Sequence, residues 1–392
     1  MPSPKIDLTK FHNFAGSHYE MGLQQGEIFA ENYKAGFETF KYHEGMNNMR
    51  PKWIPRGLFF LIARYKAFKD LSGLFERYTP NQYERIRGMV DGSGLPEKLI
   101  YLLLGSELVL GEPTFAIPAV RKGCTSIGYR SSKTARGHPM VSRNFDFEKF
   151  ISLFLCMRKN TPNGKYASHD ITASPLPGTF NGINEKGLFL GTDEAYPLEG
   201  TKPGLPASML IQEALENAAD SHEAFEIIKS LPRGSGNCIL INDSQGQCLV
   251  AEYTSEEIQK REIEDGKDYL IATNHYLHPD LEPNNIPAEA VFDANAPKAL
   301  HGWTINKNSY TRMETADNIL KSKEEIGVDD IKQLHRDHSL SEGKGGHFDI
   351  CHHDPVNITA ASMIFDLETL DSWICFGSPC ENTYKYFQLD QH

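Results

Sequence analysis

The strongest constraint on this chain is a change of periodicity near residue 123. Upstream, the pattern is helical. Gly16-Ser17-His18-Tyr19-Glu20 offers a capping box, with Ser17 at the cap and Glu20 three residues on. Tyr19, Leu23, Ile28 and Tyr33 then recur at helical spacing. Further helices are predicted around 83–89 and 97–109, with Arg50-Pro51 and Ile54-Pro55 interrupting the stretch before them. From Thr125 onward the runs become short and strand-like: 125–129, 139–147, 153–158 and 180–192. The segment Asn242-Asp243-Ser244-Gln245-Gly246 reads as the turn of a hairpin joining 238–241 to 248–252. Strands at 268–273, 358–365 and 372–376 complete the set. Helices at 208–218, 221–231 and 328–338 are inserted among them, the second capped by Asp220. Strands in runs with helices between them predict an α+β sandwich and argue against a parallel wound sheet.

Composition narrows the function. A net charge of −12 leaves no electrostatic footprint for nucleic acid, and no basic stripe interleaves with aromatics. The N-terminus, Met-Pro-Ser-Pro-Lys-Ile-Asp, lacks the apolar core of a secretory signal, and no apolar stretch reaches spanning length. A cytoplasmic location with no membrane span is the expectation. Seven cysteines is an odd number; with no secretory signal, that argues for reduced thiols.

One thiol stands at the point where the periodicity changes. Cys124 lies in Lys122-Gly123-Cys124-Thr125-Ser126. A cysteine released as an N-terminal residue would carry its own base, because an α-amino group has a reference pKa of roughly 7.7–8.0. Autocleavage between Gly123 and Cys124 needs the thiol to attack the carbonyl of the preceding residue, and a glycine there tolerates unusual backbone angles. A Gly-Cys pair alone is cheap: 32 Gly and 7 Cys give roughly 0.6 such pairs by chance. Arg143 could favour the thiolate if its strand lies beside that of Cys124, and Asp146 could orient the ammonium. Residues three apart on a strand face opposite sides, so sharing one site requires a bulge or a strand end.

The order of motifs adds to this. Gly16-Ser17-His18-Tyr19-Glu20-Met21-Gly22 with Gln25-Gly26, then Gly123-Cys124-Thr125, Arg143-Asn144-Phe145-Asp146, Gly182-Ile183-Asn184-Glu185-Lys186-Gly187-Leu188, Thr273-Asn274-His275, Ile350-Cys351-His352-His353 and Gly377-Ser378-Pro379-Cys380 span nearly the whole chain. In this the chain resembles the isopenicillin-N acyltransferase family of N-terminal nucleophile (Ntn) hydrolases. Its core is similar to that of penicillin V acylase, choloylglycine hydrolase and acid ceramidase. The resemblance implies a four-layer αββα sandwich, with a helical leader over 1–123 and a catalytic region over 124–392 forming one composite domain. It implies Cys124 as nucleophile and autoprocessing residue, Arg143 and Asp146 as the pair that positions the α-amino group and scissile carbonyl, and Asn274 in the oxyanion hole. Glu194 falls where bile-salt relatives carry an asparagine and ceramidase-like relatives a glutamate, and Arg312 matches a late active-site arginine. Arg143 follows Cys124 by 19 residues, a longer gap than in the bile-salt branch, which places an insertion between the first two strands. The implied partners are a small-molecule amide substrate and an acyl-CoA or amine as acyl partner. The self-cleaved fragments are expected to stay associated, with homo-oligomer formation left open.

Two other readings stay open from sequence. His275 could form a conventional dyad with an uncleaved Cys124, or the fold could serve a non-catalytic binding protein. His347, Cys351, His352, His353 and Asp354 have the composition of a metal cluster. Adjacent histidines on an extended segment diverge, however, and no second pair with zinc spacing is evident. The segment is read as a polar turn, and neither metal nor cofactor is expected.

Overall fold

The computed structural model describes residues 7–44, 47, 50–109, 123–200, 202–292 and 296–388. Strand β1 (Phe11–Gly16) precedes α1 (His18–Tyr42), α2 (Arg56–Tyr78), α3 (Pro80–Ser93) and α4 (Glu97–Val109). Then come β2 (Gly123–Tyr129), β3 (Met140–Glu148), β4 (Leu155–Pro162), β5 (Ser168–Ala173), β6 (Asn181–Asn184) and β7 (Phe189–Glu194). Helices α5 (Ala207–Asn217) and α6 (Ser221–Ser230) lead to β8 (Asn237–Asn242), β9 (Cys248–Tyr253), β10 (Ile258–Glu262) and β11 (Tyr269–Ala272). Helices α7 (Lys307–Lys321) and α8 (Val328–His335) precede β12 (Asn357–Asp366), β13 (Asp371–Phe376) and β14 (Lys385–Gln388).

Two sheets carry these strands. The larger runs β1-β4-β5-β6-β7-β8-β9-β10 and the smaller β11-β2-β3-β12-β13-β14. They meet face to face: Ser126 Oγ reaches Asp193 across the gap at 2.9 Å, and the rings of Phe189 and Phe365 lie 5.4 Å apart. Helices α5 and α6 cover the outer face of the larger sheet, and α7 and α8 that of the smaller. The layers are therefore helix, sheet, sheet, helix, the α+β sandwich that the strand and helix runs predict. The apolar seam under α7 and α8 includes Ile127, Tyr129, Leu320, Ile331 and Ile364. Because β2 and β3 are packed on both faces, nearly every residue in them is buried, as expected of central strands.

Sequence periodicity missed some elements and merged others. The run 180–192 is two strands, turned at Gly187 with φ +75°, where a Cβ would lie 2.1 Å from the carbonyl oxygen of Leu367. Strand β1 interrupts the helical N-terminal pattern and pairs in parallel with β4, Phe11 opposite Met157 through Gly16 opposite Pro162. The residues before Cys124 thus supply the outermost strand of the larger sheet.

Helix α1 begins as the capping box requires: Ser17 Oγ accepts from the backbone N–H of Glu20, whose carboxylate accepts from the Ser17 N–H at 2.7 Å. It crosses α3 backbone to backbone. A Cβ on Gly22 would lie 2.0 Å from the carbonyl oxygen of Arg85, and one on Gly88 would lie 2.1 Å from that of Tyr19. Cβ atoms on Gly26 and Gly92 would lie 2.6 and 2.2 Å from carbonyl oxygens of the facing helix. Beneath the crossing lies a buried polar network. Arg85 donates to Gln25 and Asn160, Arg158 clamps Asp170 with two bonds of 2.8 Å, and His18 meets Glu216 at 2.7 Å. No described helix is long and apolar enough to cross a membrane.

Candidate active site

The site forms where β2 begins. Antiparallel register sets Cys124 opposite Phe145 and Ser126 opposite Arg143. Cys124, Ser126, Arg143 and Phe145 therefore share the inner face, toward the larger sheet. Arg143 donates to the Sγ of Cys124 at 2.9 Å and to the carbonyl of Thr192. Its guanidinium stacks 5.1 Å from the Phe145 ring.

Asp146 lies on the other face of β3, as alternation demands. No bulge re-aims it; the irregularity in this region is on the neighbouring β12, between Thr359 and Ala361. Asp146 reaches the site because its partner in register is Gly123. A Cβ on Gly123 would lie 2.9 Å from Asp146 Oδ2. Only a residue without a side chain lets that carboxylate lie against the chain just before Cys124. Thr359 Oγ1 donates to Asp146 Oδ1 at 2.7 Å, while the buried Oδ2 has no hydrogen-bond partner among the described residues. The Gly123–Cys124 bond is thus flanked by Arg143 on the inner side and Asp146 on the outer.

Asn274, just after β11, fixes the backbone here. Its Oδ1 accepts from the N–H of Cys124 at 2.9 Å and from Arg312 at 2.7 Å, and its Nδ2 donates to the carbonyl of Glu194 at 3.0 Å. Two donors on one side and an acceptor on the other admit only this orientation of the amide. Arg312 comes from α7. It donates to the carbonyl of Cys124 and, at 2.8 Å, to Thr125 Oγ1. The connection from β2 to β3, where the sequence places an insertion, holds that helix: the buried Lys133 ammonium caps its end through the carbonyls of Leu320 and Lys323.

Glu194 contributes its carbonyl oxygen to this arrangement. The carboxylate facing β2 belongs instead to Asp193, one residue earlier and on the opposite side of β7. Asp193 was missed in the sequence, although alternation from a fixed register identifies it. Burial pushes its carboxyl up to about 7 against the pull of Arg143 and the Ser126 hydroxyl. His275 is not brought to Cys124. Its Nδ1 faces Ser309 Oγ at 2.8 Å and Thr273 Oγ1 at 3.1 Å, and its ring packs on Tyr310. Burial moves it to about 3, so it is held neutral.

The thiol is 1% exposed, and burial pushes it up to about 12 despite Arg143. Among the described residues its sulfur has one side-chain hydrogen-bond partner, and that partner is a cation that cannot accept a proton. A cleft lined by Gly123, Asn274, Phe292, His352 and Asp354 reaches the peptide bond from the outer side.

The acyl-coenzyme A:6-aminopenicillanic acid acyl-transferase family matches the chain over residues 133–381. The chain belongs to that family. The match takes in Arg143, Asp146, Glu194, Asn274 and Arg312 and begins nine positions after Cys124. An uncharacterized protein of Archaeoglobus fulgidus is 24% identical over 404 residues, covering 92% of this acyl-transferase family member. The chain spans 62% of that relative's length. Similar solved structures include an N-acylethanolamine-hydrolyzing acid amidase ortholog of Caenorhabditis elegans, at 13% identity and TM-score 0.40 over 62% of this chain and 93% of that one. A variant of conjugated bile acid hydrolase from Clostridium perfringens gives 14%, 0.42, 68% and 98% in the same order. Penicillin V acylase from Agrobacterium tumefaciens gives 14%, 0.38, 68% and 86%.

Proposed function

We propose that this chain is a self-processing cysteine amidohydrolase or acyltransferase with Cys124 as nucleophile. The observation that carries the reading is the set of contacts at the start of β2. The N–H, carbonyl and Sγ of Cys124 are each held by a different buried side chain, and no side-chain base is hydrogen-bonded to the thiol among the described residues. A liberated α-amino group supplies that base. Asp146 Oδ2, which lies against Gly123 without a hydrogen bond and 3.9 Å from Arg312 Nη1, is then positioned to accept from the new ammonium.

In processing, Sγ attacks the carbonyl carbon of Gly123, the C–N bond to Cys124 breaks, and water opens the resulting thioester. The products are a Gly123 carboxylate and a Cys124 with free thiol and amine. In turnover, the amine takes the thiol proton and the sulfur attacks the substrate amide. The oxyanion is met by Asn274 Nδ2, swung from the Glu194 carbonyl, together with backbone N–H groups. The leaving amine departs with the proton. Water or a second amine then takes the acyl group from sulfur. Burial of the thiol keeps the uncut chain silent. The substrate is a small amide whose acyl group is taken up by Cys124.

Intact-mass measurement with N-terminal sequencing tests this. The expected products are fragments 1–123 and 124–392, with Cys124→Ala giving one uncut, inactive chain. Active wild-type protein that begins only at Met1 or Pro2 overturns the proposal.

A further inference from the structure

The segment 347–354, read from sequence as a polar turn, divides its side chains between two clusters. His352 turns toward His347 and Asp354. There Asp354 Oδ2 accepts from His352 at 2.9 Å, and Oδ1 accepts from the backbone N–H groups of Val356 and Asn357, while His347 Nε2 and His352 Nδ1 have no hydrogen-bond partner among the described residues. That cluster brings together three candidate ligands, one fewer than a closed tetrahedral site needs. Cys351 and His353 turn the other way, as alternation about His352 requires. They meet His338, three residues beyond α8, and Cys380, four residues beyond β13.

In this second cluster both thiols converge on one imidazole nitrogen. Cys351 Sγ lies 3.5 Å and Cys380 Sγ 3.3 Å from the same nitrogen, His353 Nε2. One imidazole nitrogen has either a single proton or a single lone pair, so it cannot make a full bond to both thiols. His338 Nε2 is buried with no hydrogen-bond partner. The four ligand atoms all lie within 4.8 Å of one another. With Zn–S near 2.3 Å and Zn–N near 2.05 Å, a tetrahedral ion sets S···N at roughly 3.6 Å. The two observed S···N separations are close to that. A Cβ on Gly345 would lie 2.7 Å from His353 Cδ2 and 3.2 Å from His338 Nε2, so the backbone closes tightly over both rings. The surrounding chain is fixed independently: Cys351 N–H donates to the Asp337 carbonyl, His353 N–H to that of Gly346, and Arg336 Nε to that of Pro379.

We infer that His338, Cys351, His353 and Cys380 form a structural zinc site of two thiolates and two imidazoles. Both thiols give up their protons on binding, so the bound site is neutral and metal loading releases two protons per chain. All four positions are filled by protein, which marks a closed site with no place for substrate. The ion fastens the end of α8, the segment before β12 and the segment after β13 to one another. It therefore holds the wall that carries His352, whose N–H donates to Thr359 Oγ1, the hydroxyl that in turn donates to Asp146.

Elemental analysis of protein produced with added zinc is expected to find about one zinc per chain, and under a tenth of that in the Cys351→Ser/Cys380→Ser and His353→Asn variants. His347→Asn is expected to keep it. Wild-type protein stripped by chelator and titrated with Co²⁺ gives a measurement that no variant's folding can confound. The expected result is thiolate-to-cobalt absorption with intense tetrahedral bands, saturating at one equivalent and displaced by Zn²⁺. Absence of that absorption overturns the inference. So does zinc that persists in both variants, or recovery of Cys351 and Cys380 as a disulfide by peptide mapping of freshly purified protein.

Discussion

Asp146 and Asp193 flank Cys124 from opposite faces, and each makes a separate prediction. Asp146 accepts from Thr359 with one oxygen and sets the other beside Gly123, 3.9 Å from Arg312 Nη1 and without a hydrogen bond. Asp146→Asn keeps an acceptor for Thr359 but removes the charge that would meet the ammonium. Chain cleavage is expected to slow by about 100-fold or more, followed by mass spectrometry over time, with an unchanged circular dichroism spectrum. Asp193 makes a prediction about stability. Its carboxyl is raised from 3.8 to about 7 by burial. Between those values the unfolded chain has released a proton that the folded chain retains, so this group's contribution to stability falls as pH rises from about 4 to 7. Asp193→Asn lacks that slope and retains an acceptor for Ser126. Urea denaturation across the window is expected to show the variant gaining on wild type by on the order of 1 kcal/mol per pH unit. A constant difference across the window would mean Asp193 is already ionised in the folded chain.

Helices α1 and α3 meet backbone to backbone. Four glycines, Gly22 and Gly26 against Gly88 and Gly92, let their backbones touch. Gly88→Ala introduces a methyl group where the facing carbonyl already stands. It is expected to cost about 1–3 kcal/mol or more in thermal or urea unfolding, whereas Gly57→Ala, with open space around it, is expected to be neutral or mildly stabilising. The motif at residues 16–26 gains a physical account here: Ser17 caps, His18 holds Glu216, Gly22 and Gly26 admit α3, and Gln25 receives Arg85. In sequence only the cap was legible, because the other roles depend on partners far along the chain. Capping and periodicity likewise located α3, α4, α5, α6 and α8 and the β8–β9 hairpin. Helix α2 was hidden by prolines that read as breaks. Pro55 in fact stands at its cap, where a missing N–H costs nothing. Helix α7 was hidden by its polar surface, and with it went any firm placement of Arg312. The zinc ligands were invisible as a set because two of the four come from distant segments that only the tertiary fold brings together.

At the scale of the whole molecule, residues before and after Cys124 are interleaved. The larger sheet takes its outermost strand from before the proposed cut, and the buried network joins His18, Gln25 and Arg85 to Glu216, Arg158 and Asp170. Native size-exclusion chromatography is expected to show fragments 1–123 and 124–392 eluting together, and denaturing electrophoresis to separate them. The position of β1 reaches further, to how the protein is made. An uncut chain threads that strand beside β4 while both belong to one polymer, so its folding rate is indifferent to dilution. Once the backbone is severed, the same pairing becomes an encounter between two molecules. A cut and denatured sample should then recover more slowly the more dilute it is, and the covalent link, dispensable to the finished particle, would have served chiefly during assembly.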